Sequence, residues 1–428
     1  MNPSSRRNFL KGAAAIGAVP LLTEFSLAAC SGGKAPAATA ADSKATSLGS
    51  GLADAVPKSG IQAMVDGFQT ASGDTVKVNV MARDQLVNNI STYLQSSPED
   101  VITWFAGYRM RFYADKGLMK PVDDVWEAIG KNFGPGVTAG STGNDGKKYL
   151  VPNYNYPWVV FYRKSVWQQH GYQIPGTFDA LLALCAQMKK DGLSPIAFGD
   201  KDGWPAMGTF DYINLRTNGY QFHIDLCAHK ESWTSPKVKA VFDNWRQLLP
   251  FQDTGALGAT WQQAAHNMAN KKSGMYLLGT FLLQEITDKA IVDDLDFFPF
   301  PAIAAEGTTA VEAPIDGFVL STKGAQNKAA TNFLKYLGTG AAQDLYASKD
   351  PSNLQTASDA NTSSLSPLLK KASELIAQSQ NVSQFFDRDS LPAMASNVMI
   401  PALQGFLKDG KIDQNSLETQ AKTLYASA

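Results

Sequence analysis

The alternation of helical and strand periodicity restricts the fold of this chain more than any other feature. Ile61, Met64, Val65 and Phe68 recur at i, i+3, i+4 and i+7, one face of a helix that Gly73 stops. Val76, Val78 and Val80 then alternate as a strand, Leu86, Val87, Ile90, Tyr93 and Leu94 return to helical spacing, and residues 101–104 read as a strand again. Helix, strand, helix, strand predicts a parallel α/β sheet. The pattern resumes downstream. Thr177 caps a predicted helix bearing Leu181, Leu182, Cys185 and Met188, which Gly192 ends before a strand at residues 195–198. Ser235-Pro236 opens another, with Val238, Val241, Phe242, Trp245, Leu248 and Leu249 on its apolar stripe. Residues 274–278 and 295–299 are further short strands, and helices dominate from Gln326 onward. No internal repeat of fixed period is present.

A chain of 428 residues exceeds what one hydrophobic core supports, so two domains are expected. Its N-terminus is a targeting segment rather than part of either. Ser5-Arg6-Arg7-Asn8-Phe9-Leu10-Lys11 is a twin-arginine signature, and a short apolar run leads to Leu27-Ala28-Ala29-Cys30. That ending resembles a bacterial lipobox, with Cys30 as the lipid-bearing first residue of the mature protein. Residues 1–29 are therefore read as signal peptide. Residues 31–50 consist almost entirely of Ala, Ser, Gly, Thr, Pro and Lys, so 30–56 is read as a flexible tether. Losing the signal removes three of the 38 basic and one of the 39 acidic residues, which leaves a formal charge of −3. Such a balance gives no footprint for nucleic acid.

Cys185 and Cys227 remain in the mature chain. Cys185 lies on an apolar helical face, where a buried free thiol is common, although pairing of the two stays open in an oxidising compartment. The four His lie far apart without ligand spacing, so neither a metal nor another cofactor is expected. No G-x-S-x-G elbow, H-E-x-x-H, phosphate loop or dinucleotide fingerprint occurs.

What the chain does carry is aromatics in loops. Trp104-Phe105-Ala106-Gly107-Tyr108-Arg109 follows a predicted strand, Asn153-Tyr154-Asn155-Tyr156-Pro157-Trp158 precedes one, and Gly203-Trp204-Pro205 sits between elements. Aromatics at strand ends face the crevice where open α/β sheets bind ligands. A pyranose has an apolar C–H face and a fringe of hydroxyls, which call for a flat ring plus Asp, Asn and Arg. Trp245, by contrast, lies on a helical stripe and is read as core. Trp261 opens a helix after a Gly-rich turn and stands between the two readings. Asp387-Arg388-Asp389 is the most acidic loop segment, read either as ligand-facing or as a locally paired turn.

Together these segments resemble extracellular solute-binding proteins of family 1, the lipoprotein receptors of carbohydrate ABC importers and relatives of maltose-binding protein. The resemblance spans roughly residues 57–426 and rests on Pro157-Trp158-Val159-Val160-Phe161-Tyr162-Arg163-Lys164, Pro175-Gly176-Thr177-Phe178, Asp202-Gly203-Trp204-Pro205 and Phe210-Asp211-Tyr212-Ile213-Asn214-Leu215-Arg216. It implies a two-lobed α/β fold with a hinge of crossing strands. One crossing is expected near residues 154–158 and another near Phe298-Pro299-Phe300-Pro301. Lobe one would comprise 57–156 and 300–345, and lobe two 157–299 and 346–428. Carried over segment by segment, the ligand contacts would be Arg83, Trp104, Tyr108, Arg109, Asp316 and Gly317 on lobe one. Across the cleft would lie Asn155, Tyr156, Trp204, Trp261, Gly279 and Phe281, with Asp387 and Arg388 from the C-terminal region. The chain departs from the family in one place. Residues 45–55 hold only Leu48 and Leu52 among small residues, so the first strand of lobe one is expected to be short or absent.

The resemblance thus implies a non-enzymatic, membrane-anchored, monomeric receptor that delivers a mono- or oligosaccharide to a permease. Its rivals are a lipid-anchored glycoside-active enzyme using two carboxylates in the same cleft and a sensor or adhesin displaying an apolar patch elsewhere.

Overall fold

The computed structural model describes residues 43–305 and 310–427. Cys30 and its expected lipidation lie outside the described residues. The first lobe opens with β1 (Ala45–Ser50), β2 (Thr75–Val80), β3 (Val101–Phe105), β4 (Met119–Lys120) and β5 (Leu150–Asn155). The second holds β6 (Trp158–Arg163), β7 (Ser194–Ile196), β8 (Ser273–Gly279) and β9 (Leu295–Phe298). The chain continues through β10 (Ala310–Glu312), β11 (Ile315–Ser321), β12 (Leu354–Gln355) and β13 (Asn381–Ser383).

In the first sheet the order is β12-β5-β11-β3-β1-β2, with β4 also on β11; in the second it is β7-β8-β6-β9. The expected parallel arrangement holds for β2, β1 and β3. It fails at β11, which runs antiparallel between β3 and β5 because it arrives from the other lobe instead of through a crossover helix.

β1 corrects the sequence reading. The supposed tether 30–56 contains a full six-residue strand between β2 and β3, and also the start of α1 (Ala55–Ser72). With Leu48 as its one large apolar residue, β1 is held by polar bonds that hydrophobic patterning does not register. Asp100 accepts from Thr46 Oγ1 at 3.1 Å, from Ser47 N at 3.0 Å and from Asn327 Nδ2 at 3.0 Å.

Three connections join the lobes. β5 passes to β6 through Tyr156-Pro157, close to the expected first crossing. The second is longer than 298–301, since the chain leaves β9, pairs as β10 with β13, and enters the first sheet only at Ile315. The third follows β12, which pairs with β5 in the first sheet before the Pro367–Gln378 helix packs on β9. Residues 346–355 thus stay with lobe one, against the expectation that 346–428 belongs to lobe two.

Local signals read correctly include Gly73, left-handed at φ 73° as the cap of α1, and Thr177, whose side chain accepts from Ala180 N at 3.2 Å. Trp245 is fully buried, as its stripe requires. Cys185 and Cys227 are free and buried, and burial pushes the Cys185 thiol up to about 12. Among the described residues no helix is long and apolar enough to cross a membrane, and no cluster of three His, Cys, Asp or Glu is placed to hold a metal.

Candidate ligand-binding cleft

A cavity of about 370 Å³ lies where the rims of the two sheets meet. Its lobe-one wall follows from the strand ends. The loop after β1 supplies Leu52 and Asp54, α2 (Arg83–Gln95) supplies Arg83, Asp84 and Asn88, and α3 (Tyr108–Asp115) supplies Arg109. Antiparallel pairing sets Asp316 of β11 opposite Phe105 at the carboxyl end of β3, on the same rim. A bulge between Asp316 and Gly317 shifts the register there.

The opposite wall is aromatic. Phe281 is its hub, with ring centroids 5.3 Å from Tyr156, 6.0 Å from Trp158, 6.0 Å from Trp204 and 5.2 Å from Trp261, the pairs with Tyr156 and Trp261 being edge to face. Tyr156, Trp158 and Trp261 are buried behind it, whereas Trp204 and Phe281 are half-buried and offer their rings to the cavity. Gly279 makes the hub possible, for a Cβ there would lie 2.4 Å from the Phe281 ring.

Charge gathers on the third side. The buried Arg388 guanidinium contacts Asp316 at 2.6 Å, donates to Tyr156 Oη at 2.5 Å and lies 4.5 Å from the Phe105 ring centroid. Arg83 reaches the other oxygen of Asp316 at 3.6 Å, and Tyr154 Oη donates to the same oxygen at 3.3 Å. Asp387 is held by Arg109 at 3.5 Å and by Arg388 at 3.8 Å. Desolvation works against the charges on Arg83 and Arg388, but Asp316, Tyr156 and Asp387 together more than offset it and hold both above the ordinary guanidinium value. At the mouth, burial and the facing Asp202 of lobe two push the Asp84 carboxyl up. Rings on one side and interlocked donors and acceptors on the other suit a ligand with an apolar face and a polar edge.

Of the residues singled out in the sequence, Arg83, Arg109, Tyr156, Trp204, Trp261, Phe281, Asp316, Asp387 and Arg388 come together on this cavity. Five do not line it. Trp104 is core, 3% exposed and stacked on Phe105 at 4.3 Å. Tyr108 packs on Tyr425, and Asn155 ends β5 between Ile315 and Leu354. Gly279 acts through packing, and so does Gly317, where a Cβ would meet Val151 O at 2.2 Å. The sequence reading missed Asp54, Asp84, Asn88, Asp202, Gln262, Gln284, Asn353 and Phe385. Asp84, Asp202 and Gln262 sit within two residues of residues it did select. Asp54 follows the strand it discounted.

Two α/β lobes joined by three connections and enclosing a polar-edged aromatic cavity define a ligand-capturing protein of the hinged kind. The chain belongs to the bacterial extracellular solute-binding protein family, whose model matches residues 53–344. Residues 3–23 match the twin-arginine translocation signal, which marks the chain for export. It is 26% identical over 260 residues to an uncharacterized ABC transporter extracellular-binding protein of Pyrococcus horikoshii, covering 60% of this chain and 58% of that one. To the multiple sugar-binding protein of Streptococcus mutans it is 24% identical, covering 53% and 56%. The chain thus spans a little over half the length of these curated relatives. Among solved structures it resembles the bacterial solute receptor AcbH with TM-score 0.86 and 43% identity over 89% of this chain and 99% of that one. AcbH is described as having an exclusive substrate preference for β-D-galactopyranose. A chitin oligosaccharide binding protein shares the fold at TM-score 0.81 and 20% identity, over 90% of this chain and 100% of that one.

Proposed function

We propose that the protein is the sugar-capturing receptor of an ABC importer, binding a monosaccharide or short oligosaccharide between its lobes and passing it to a membrane permease. The observation that carries this is the pairing of half-buried Trp204 and Phe281 with the Arg83–Asp316–Arg388 edge in one cavity. Rings would stack on the C–H face of a pyranose, and the charged groups would bond its hydroxyls through the stronger, charge-assisted kind of hydrogen bond. A volume of about 370 Å³ lies at the small end of the roughly 300–1,000 Å³ typical of ligand pockets, which favours one or two sugar units. The similarity to AcbH makes a β-D-galactopyranose the first ligand to try. No catalysis is assigned. Asp316 and Asp387, the carboxylates deepest in the charged edge, are both engaged by arginine, whereas a glycosidase acid sits in an apolar pocket that keeps it neutral. We further propose that Cys30 carries a lipid that tethers the mature monomer to the membrane.

A thermal-shift screen of the mature protein against mono-, di- and oligosaccharides, with amino acids as controls, tests the reading. A saturable rise in Tm with a sugar is expected, since a ligand that binds only the folded state stabilises it by mass action. A shift with amino acids alone, or turnover of a chromogenic glycoside, would overturn it. Mass spectrometry of the mature N-terminus tests the anchor, and an unmodified start other than Cys30 would remove it.

A further inference from the structure

Behind the charged edge of the cleft lie two carboxyl groups that the binding reading leaves unused. Asp211, on the Pro205–Cys227 helix of lobe two, and Glu312, on β10 of the second connection, are both 0% exposed. The two carboxyl groups lie within hydrogen-bonding reach of each other. Asp211 Oδ1 and both oxygens of Glu312 otherwise meet no N–H or O–H donor. Two carboxylate oxygens cannot bond one another unless one bears a proton.

Asp211 Oδ2 has a separate task. It accepts from Phe386 N at 2.7 Å and so satisfies the first N–H of the Phe386–Asp389 turn, whose own cap residue supplies no side-chain acceptor. The two residues that follow are Asp387 and Arg388, which line the cleft. From the other side, Gln384 Oε1 accepts from Ile315 N at 2.9 Å, beside Asp316. The network therefore runs from Glu312 through Asp211 and the turn to the Arg388–Asp316 pair.

We propose that Asp211 and Glu312 share one proton, carried on Glu312, and that the pair is a positioning device for the ligand site, fixing the turn that presents Asp387 and Arg388. This rests on the sugar-capture reading of the cleft. With the proton on Glu312, Asp211 stays anionic and accepts from both Glu312 and Phe386.

The surroundings agree. His223, four residues before Cys227, has its Nε2 3.9 Å from Asp211 Oδ1, but burial pushes it down to about 3 and keeps it neutral. Burial holds the Cys227 thiol well above its usual value, so it too is uncharged. Tyr212 stands beside Asp211, its hydroxyl accepting from Glu312 N at 3.4 Å, and Arg216 donates to Ala310 O on the same strand as Glu312 at 2.7 Å. From the turn, Asp387 and Asp389 oppose a second negative charge, and Arg388 favours the first. Burial raises both members of the pair far above ordinary carboxylates, as expected for two acids that cannot both ionise.

The test compares wild type with Glu312→Gln and Glu312→Leu. The amide N–H of Gln replaces the shared proton, so E312Q should bind sugar within about threefold of wild type, whereas E312L should lose at least tenfold. Wild type retains on folding a proton that the unfolded chain releases, so from about pH 5 upward its folding constant should fall, relative to E312Q, by up to tenfold per pH unit. The infrared difference between wild type and E312Q should show the band of one protonated carboxyl that E312Q lacks. Equal pH slopes in both proteins, or a folded E312L that binds as wild type, would overturn the proposal. Should E312L not fold, Glu312→Asp, one methylene shorter and so drawn back from Asp211, replaces it with the same expected loss. If wild type binds no sugar but the pH slope and infrared band behave as stated, the failure lies with the sugar reading and not with the shared proton.

Discussion

Arg388 meets a carboxylate, a phenol and two aromatic faces at once, which is work for a planar guanidinium. Replacing it with Met keeps bulk but strands a buried Asp316, and breaking such a pair costs about 3–5 kcal/mol. Arg83 at 3.6 Å can compensate in part, so a loss near the lower bound is expected in urea unfolding, together with loss of sugar binding. The tryptophans divide in the same way between stability and binding. Trp204→Ala should weaken binding by ~1–3 kcal/mol with little change in fold, and unchanged affinity by calorimetry would make Trp204 a packing residue. Trp104→Ala should instead lower stability by ~3–5 kcal/mol, because its ring is wedged between Phe105 and Tyr113. Sequence could not separate the two by neighbours alone, since both stand beside turn residues.

Elements with an apolar face were legible, and those held by polar bonds or by partners distant in sequence were not. α1 and the Pro236–Leu248 helix announce themselves, whereas β1 needs Asp100 and Asn327, 50 and more positions away, to explain it. The family resemblance implies Gly317 as a ligand contact. Its structural task is to let β11 bulge against Val151 O, and Gly317→Ala should therefore reduce stability and sugar affinity together, as Tm and titration would record. The turn before the Pro205–Cys227 helix has a pH signature. Asp200, fully buried, accepts from Ala206 N at 2.8 Å, and desolvation raises its carboxyl to about 7. A raised acid contributes its full stability below the unfolded value near 4 and loses it as pH rises through 7. Asp200→Asn keeps the acceptor without the charge. It should flatten the pH–Tm curve over that window and add on the order of 1–4 kcal/mol at pH 8.

At the scale of the whole molecule, three connections allow the lobes to swing without letting them part. Ligand touching both walls favours a closed population, so saturating sugar should reduce the radius of gyration in solution scattering, and an unchanged value would argue for a cleft already closed. The same topology bears on biosynthesis. β11 lies between β3 and β5, yet it leaves the ribosome more than two hundred residues after β3. At ~5–20 residues per second, the near lobe waits roughly 10–40 s with the flank of β3 uncovered. Unpaired strand flanks recruit other chains, so a nascent polypeptide halted before Ile315 would keep that raw border for good and be a seed for aggregation.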